Sequence, residues 1–276
     1  EVLISPIVEA CPTERKEAAM SLLHSFYCWG QVFVVVFSTL FFSVTGIKNW
    51  RVLACIWALI PLINSFYFSK VPIAVLVDEA EKMPLFEMFK NKLFWLFIIL
   101  MICSGASEHS MSQWASAFAE SGLKVSKTIG DLAGPCLFAT FMGISRVFYS
   151  KYSEKISLHR FMVGSGVLCI TGYLLASLSS NPAVGFIGVG IIGLSVGILW
   201  PGTFSIAAKG IPRGGTAMFA LLALAGDLGC SAGPTVVGMV SGAYNDDLRK
   251  GILYAILFPF LLLVGLSLYK KLKVRT

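Results

Sequence analysis

Charge is what this chain has least of. Asp, Glu, Lys and Arg together make up 13% of its 276 residues, while 56% are hydrophobic. A water-soluble domain carries about twice that density of charge, so one soluble core is excluded and a polytopic membrane protein is expected. A barrel is excluded as well, because short alternating strands are missing. In lipid, long apolar runs must satisfy their own backbone, which leaves helices. Metal and redox chemistry find no support either. The seven cysteines (Cys11, Cys28, Cys55, Cys103, Cys136, Cys169 and Cys230) stand singly, with no CxxC and no Cys/His cluster. They read as small buried apolar residues. No HExxH occurs, since Glu108-His109 stands in the wrong order and lacks a second His. An intramembrane aspartyl protease of the Gly-x-Gly-Asp type would need Gly where Leu224 stands. A Walker motif is also missing, which argues against ATP-driven pumping. No enzyme and no cofactor is expected. The formal charge of +7 reads as loop charge that sets orientation rather than as a nucleic-acid surface.

Eight apolar segments near the ~20 residues that span a bilayer follow one another: 18–44, 52–68, 93–118, 128–149, 158–177, 183–208, 216–241 and 251–269. The chain begins with Glu and runs at once into VLISPIV, so 1–8 is read as the tail of an earlier helix and the true start is expected upstream. Of the 22 Lys and Arg, 16 fall in one alternate set of loops (9–17, 70–92, 146–160, 209–213 and the tail from Lys270) and six in the other. The positive-inside rule puts the first set, with both chain ends, in the cytoplasm of a cell with the protein in its inner or plasma membrane. The loop 70–92 contains VDEAEKMPLFEMFKNK, which reads as an amphipathic interfacial helix or a linker. Boundaries at 1–69, 70–92 and 93–276 follow.

An internal echo links Arg15–Val36 with Arg213–Val237: Arg15 pairs with Arg213, Ala19-Met20 with Ala217-Met218, and Gly30 with Gly229 after a one-residue slip. Together with the central loop, it suggests two parallel six-helix repeats, the first incomplete. This arrangement resembles the major facilitator superfamily, over the end of helix 4 through helix 12. Glu1 to Pro6, followed by Pro12, Leu22, His24 and Gly30, resembles the helix 4–5 region of the fucose permease-like branch, with Ser5 where Asn is usual. The resemblance implies an all-α major facilitator-type bundle of two pseudo-symmetric repeats that moves a small, sugar-like polar solute by proton-coupled symport. It places the coupling proton on Glu1. Drug–proton exchange is the alternative, and a non-transporting receptor of the same fold a further one. Solute, protons and the bilayer are the partners, and a monomer is expected. The superfamily's loop signature would fall on Gly143 to Tyr152, where Gly143 and Lys151 match and Val147 replaces the Asp; a gating role is implied for Gly143, Arg146 and Lys151.

Polar residues inside the apolar runs are the site candidates, because such groups are costly in lipid and face a protein interior or wet cavity. In 93–118, Ser104, Glu108 and Ser112 share one helical face, with His109 and Gln113 beside it and Trp114 nearby. That strip suits a polar-solute cavity, with His24 as a further contact. Asp227 reads either as a second protonation site or as a packing acid, set among Gly226, Gly229, Gly233 and Pro234. Asp131 reads as a dipole partner at a helix start, and Trp200-Pro201 as a kink.

Overall fold

Each apolar run is largely helical, and three of them are interrupted. The structure is a computed structural model that describes residues 4–74, 76–77 and 82–275, and no strand occurs among them. A short α1 (Ile4–Ala10) precedes α2 (Lys16–Thr45) and α3 (Trp50–Phe68). After the central loop come α4 (Leu85–Lys90), α5 (Lys92–Ser112), α6 (Ala115–Ala117), α7 (Lys127–Tyr152) and α8 (Leu158–Leu178). The chain closes with α9 (Pro182–Val196), α10 (Leu199–Gly210), α11 (Gly215–Ala243), α12 (Leu248–Tyr254) and α13 (Leu257–Arg275). Among the described residues, eight helical stretches are long and apolar enough to cross a membrane.

Helix starts follow capping chemistry. The Asn91 side chain accepts from Leu93 N–H at 2.9 Å, Asn181 from Ala183 N–H at 2.9 Å ahead of Pro182, and Asp247 from Arg249 N–H at 3.0 Å. Each satisfies a donor that the first turn leaves open.

Three expected segments are corrected. The run 93–118 is not one helix: α5 stops at Ser112, and a π-helical turn, Phe118–Gly122, follows α6. The run 183–208 divides at Gly197–Ile198. Pro201 explains the division, because it has no N–H to give the carbonyl four residues back, Gly197. The run 251–269 starts earlier, at Leu248, and is interrupted after Tyr254. In the central loop only Leu85–Lys90 is helical, and its Met88 is buried rather than interfacial. The rest of the expected amphipathic helix includes residues 78–81, which lie outside the described residues.

Small residues set the packing. A Cβ on Gly229 of α11 would sit 2.1 Å from the Ile102 carbonyl of α5, and one on Gly105 of α5 would sit 2.3 Å from the Gly226 carbonyl. The two backbones therefore touch, which lets helices associate closely without a hydrophobic drive between them. Gly193 of α9 meets the Phe138 carbonyl of α7 in the same way, at 2.4 Å. The α1–α3 segment joins α5–α13 mainly through α2, which lies along α7 and α10. Every buried residue of α2 lies between Ala18 and Cys28.

Candidate functional site

Where α2 crosses α7, an arginine lies inside the bundle. Arg146 is 2% exposed and Glu108 of α5 is 5% exposed. The Arg146 Nη2 donates to Glu108 Oε2 at 3.1 Å. Its Nε donates to the Gly197 carbonyl at 2.8 Å, the carbonyl that Pro201 leaves without a helical donor. Its Nη1 reaches across to α2, donating to the His24 carbonyl at 2.7 Å and to Cys28 Sγ at 3.2 Å. In return, Ser21 Oγ of α2 donates to the Arg146 carbonyl at 2.7 Å. One guanidinium thus ties together α2, α5, α7 and the α9–α10 break. A buried charge is tolerable when it is paired and hydrogen-bonded, and Arg146 is paired with Glu108 and has acceptors for four of its five N–H donors.

Beside this pair lies a cavity of ≈ 110 Å³. The Glu108–Arg146 pair and His24 form one side; Tyr27, His109, Trp200, Asp227 and Cys230 complete it. The His24 ring stacks on Phe204 with centroids 6.1 Å apart, and a ring nitrogen lies 3.3 Å from Ser5 Oγ. Trp200 is 6% exposed, and its indole N–H has no hydrogen-bond partner among the described residues. The His109 Nδ1 is buried and has no partner among the described residues either. Asp227 is exposed, and its carboxylate has no partner among the described residues. Packing falls to its neighbours: Gly226 lies under the Trp200 ring, and Gly233 against Ala106 and Ser110. Among the described residues no cluster of His, Cys, Asp or Glu could hold a metal ion.

The structure brings together His24, Glu108, His109 and Asp227 from the expected set. It leaves out two. Gln113 is exposed at the end of α5, and Trp114 donates its indole N–H to the Pro234 carbonyl at 3.0 Å and packs on Gly238. Glu1 lies outside the described residues, as does the Asp131 side chain. The expected loop signature at 143–152 is corrected, because those residues are helical and belong to α7. Gly143 packs against Cys28 and Trp29, and Lys151 is exposed beside Tyr152. Arg146 therefore belongs to the core and not to the loop charge; removing it from the basic set leaves that set's excess intact. Arg146 was expected to gate rather than to line the cavity, and Tyr27, Trp200 and Cys230 were not among the expected site residues. Arg146 was legible in one respect: a buried acid such as Glu108 calls for a cation, and Arg146 stands among apolar residues in MGISRVF. Trp200, read as a kink marker, also lines the cavity.

A second polar zone closes the end of the bundle where loops 9–17, 146–160 and 209–213 meet. Arg15 Nε pairs with Glu154 at 2.9 Å, and Lys209 pairs with Glu17, which also accepts from the Tyr149 hydroxyl at 2.7 Å. These bonds join α2 and the turn before it to α7, the turn after it, and α10. Around them is a cleft of ≈ 330 Å³ that includes Glu9 and Lys16. Burial pushes the Glu9 carboxyl up, with Lys16 and Lys209 pulling the other way.

The sequence profile of the Major Facilitator Superfamily matches residues 3–234. Among curated proteins none matches the sequence. Among solved structures, the crystal structure of a Major Facilitator Superfamily transporter, FucP, in the outward conformation is similar with a TM-score of 0.77 and 11% identity. The match covers 97% of this chain and 72% of that one. At that identity the likeness is one of fold.

Proposed function

The chain belongs to the major facilitator superfamily and is a multi-pass membrane transporter; from that premise we propose that it moves a small polar solute by proton-coupled symport. The solute is sugar-like, the membrane is the inner or plasma membrane, and the basic loops face the cytoplasm. Residues 1–69 and 93–276 act as the two moving units, with 70–92 as their linker. The observation that carries this reading is the cavity where α2 meets α5, α7, α10 and α11, with a buried ion pair on one side and unpartnered polar groups on the other. Transporters of this architecture bind near the midplane, between units that rock against each other. His24, Glu108 and His109 contact or shape the solute site. Arg146 couples the units, because its bonds to the His24 carbonyl and from Ser21 cross between them.

The coupling proton is assigned to acids outside the Arg146 pair. Asp227 is one, since its carboxylate lines the cavity without a partner among the described residues; Glu1 is the other, on its resemblance to the helix 4 acid. The ion pairs at the basic end support a state closed on that side. The test is solute uptake by the purified protein in liposomes. An inward proton gradient is expected to raise the accumulation of the transported solute, and Asp227→Asn to reduce that gain. Uptake that ignores the imposed pH gradient for every transported solute would remove proton coupling from the assignment.

A further inference from the structure

On the outer side of the bundle, α7, α8 and α9 leave a groove of ≈ 400 Å³. Its walls are Ile144 and Phe148 of α7, Phe161 and Leu168 of α8, and Leu194 of α9. Gly164 makes the gap in α8, since a Cβ there would meet nothing within 4 Å. Ile144 and Phe148 are exposed and stand two residues either side of buried Arg146. At 3.6 residues per turn they lie on the opposite face of α7, so the groove faces lipid and not the solute cavity. Two buried serines, Ser145 and Ser165, also line it, and Arg160 is the one charged residue at its edge among the described residues.

The depth of the groove and its charge both point to one occupant. Arg160 stands at the start of α8, and Leu168 lies about 12 Å deeper along the same helix. One leaflet of the hydrocarbon is about 15 Å thick. The groove therefore runs the depth of an acyl chain in a single leaflet, with a cation at the level of the headgroup phosphate. The Arg160 guanidinium is exposed, and it has no ion pair or hydrogen bond among the described residues. Lys151, one turn beyond Phe148, and Lys155, in the turn between α7 and α8, are exposed as well. Glu154 in that turn is already paired with Arg15. The rim thus carries uncompensated positive charge, which favours a headgroup of net negative charge over one that brings its own ammonium. We propose that the groove is a binding site for one anionic phospholipid. Its acyl chain lies along Phe148, Phe161 and Leu168, and its phosphate accepts from the Arg160 guanidinium. Neither the solute nor the coupling proton enters this assignment, so it goes beyond the transport reading and does not depend on it.

Native mass spectrometry of the purified protein in detergent tests this. The probes are phosphatidylglycerol, phosphatidylcholine with the same acyl chains, and glycerol 3-phosphate. Phosphatidylglycerol is expected to be retained as a single copy and to bind at least about fivefold more tightly than phosphatidylcholine. Arg160→Gln is expected to weaken phosphatidylglycerol by about fivefold and so to remove most of that preference. Gly164→Leu places a side chain in the groove where the added Cβ has room, and it is expected to displace the retained lipid. Equal retention of the two lipids by the unaltered protein would show an ordinary lipid boundary and overturn the proposal. Glycerol 3-phosphate bound as tightly as the lipid would overturn the acyl-chain half and leave a plain phosphate contact. A preference for phosphatidylglycerol that survives both substitutions would place the anionic lipid elsewhere. The ranking of the unaltered protein decides the headgroup preference even where a variant fails to fold. Because the readout is lipid binding, a failure here leaves the transport reading standing, and a failure of that reading leaves this one untouched.

Discussion

A buried arginine must be satisfied bond by bond, and at Arg146 the bonds come from three separate parts of the chain: α2, α5 and the α9–α10 break. The carbonyls of His24 and Gly197, the Cys28 thiol and the Glu108 carboxylate converge on it. Removing one partner of a buried pair leaves an uncompensated charge at a cost of about 3–5 kcal/mol, whereas replacing both with apolar or neutral groups is far less costly. Arg146→Met alone is therefore expected to destabilise the protein by about that amount, as read by thermal denaturation in detergent. The double variant Arg146→Met with Glu108→Gln is expected to recover most of the loss. If the double variant were no more stable than Arg146→Met, the pair would not be the main restraint at this site. The same residue marks the limit of legibility at this scale. Glu108 and His24 could be nominated because acids and histidines in apolar runs are rare. Arg146 was counted with the loops, since hydropathy cannot tell a helix end from a helix interior over one turn. Trp200 was hidden by its proline neighbour, because the kink explained both residues.

At the scale of the helix, the glycines divide into those that touch a neighbour and those that do not. Gly229 lies against the Ile102 carbonyl, and the atom in its way is backbone, which cannot rotate aside. Gly164 of α8 faces open space, with nothing within 4 Å of an added Cβ. Overpacking a tight contact costs about 1–3 kcal/mol, while Ala is favoured over Gly in a helix interior by about 1 kcal/mol. Gly229→Ala is thus expected to lower the melting temperature and Gly164→Ala to leave it unchanged or raise it. A loss at both sites of equal size would show that contact distance is not what separates them. The helices themselves were visible in the sequence as apolar runs of membrane length. Their interruptions were not, apart from Pro201. The bond from Trp114 to the Pro234 carbonyl of α11 is a tertiary fact. The glycine-rich face of α11 was seen, but its meaning was split: the glycines pack and Asp227 does not.

For the molecule as a whole, the echo between Arg15–Val36 and Arg213–Val237 and the alternation of basic loops were enough to reach the superfamily. The contacts that hold one arrangement of the helices were beyond sequence, because they join residues more than a hundred positions apart. Arg15–Glu154 and Glu17–Lys209 are such contacts. Arg15, Glu154 and Lys209 are exposed and Glu17 is half-buried, so each pair is taken to contribute about 0.2–1 kcal/mol. Together they bias the closed basic end by about 1 kcal/mol, roughly a fivefold ratio of populations. Glu154→Gln combined with Lys209→Gln is expected to open that end in a larger fraction of molecules, measured as a distance between labels on the 9–17 and 146–160 turns. The effect is expected to shrink for the unaltered protein at high salt, which screens exposed pairs. A label distance that ignored both the substitutions and the salt would assign closure to other contacts. The way α2 is held adds a mechanical side to this. The buried residues of α2 lie between Ala18 and Cys28, around the Arg146 contact, and the helix runs on to Thr45. Those last 17 residues extend about 25 Å past that contact, so a tilt of ~5° about Arg146 would displace the far end by about 2 Å, by the helical rise alone.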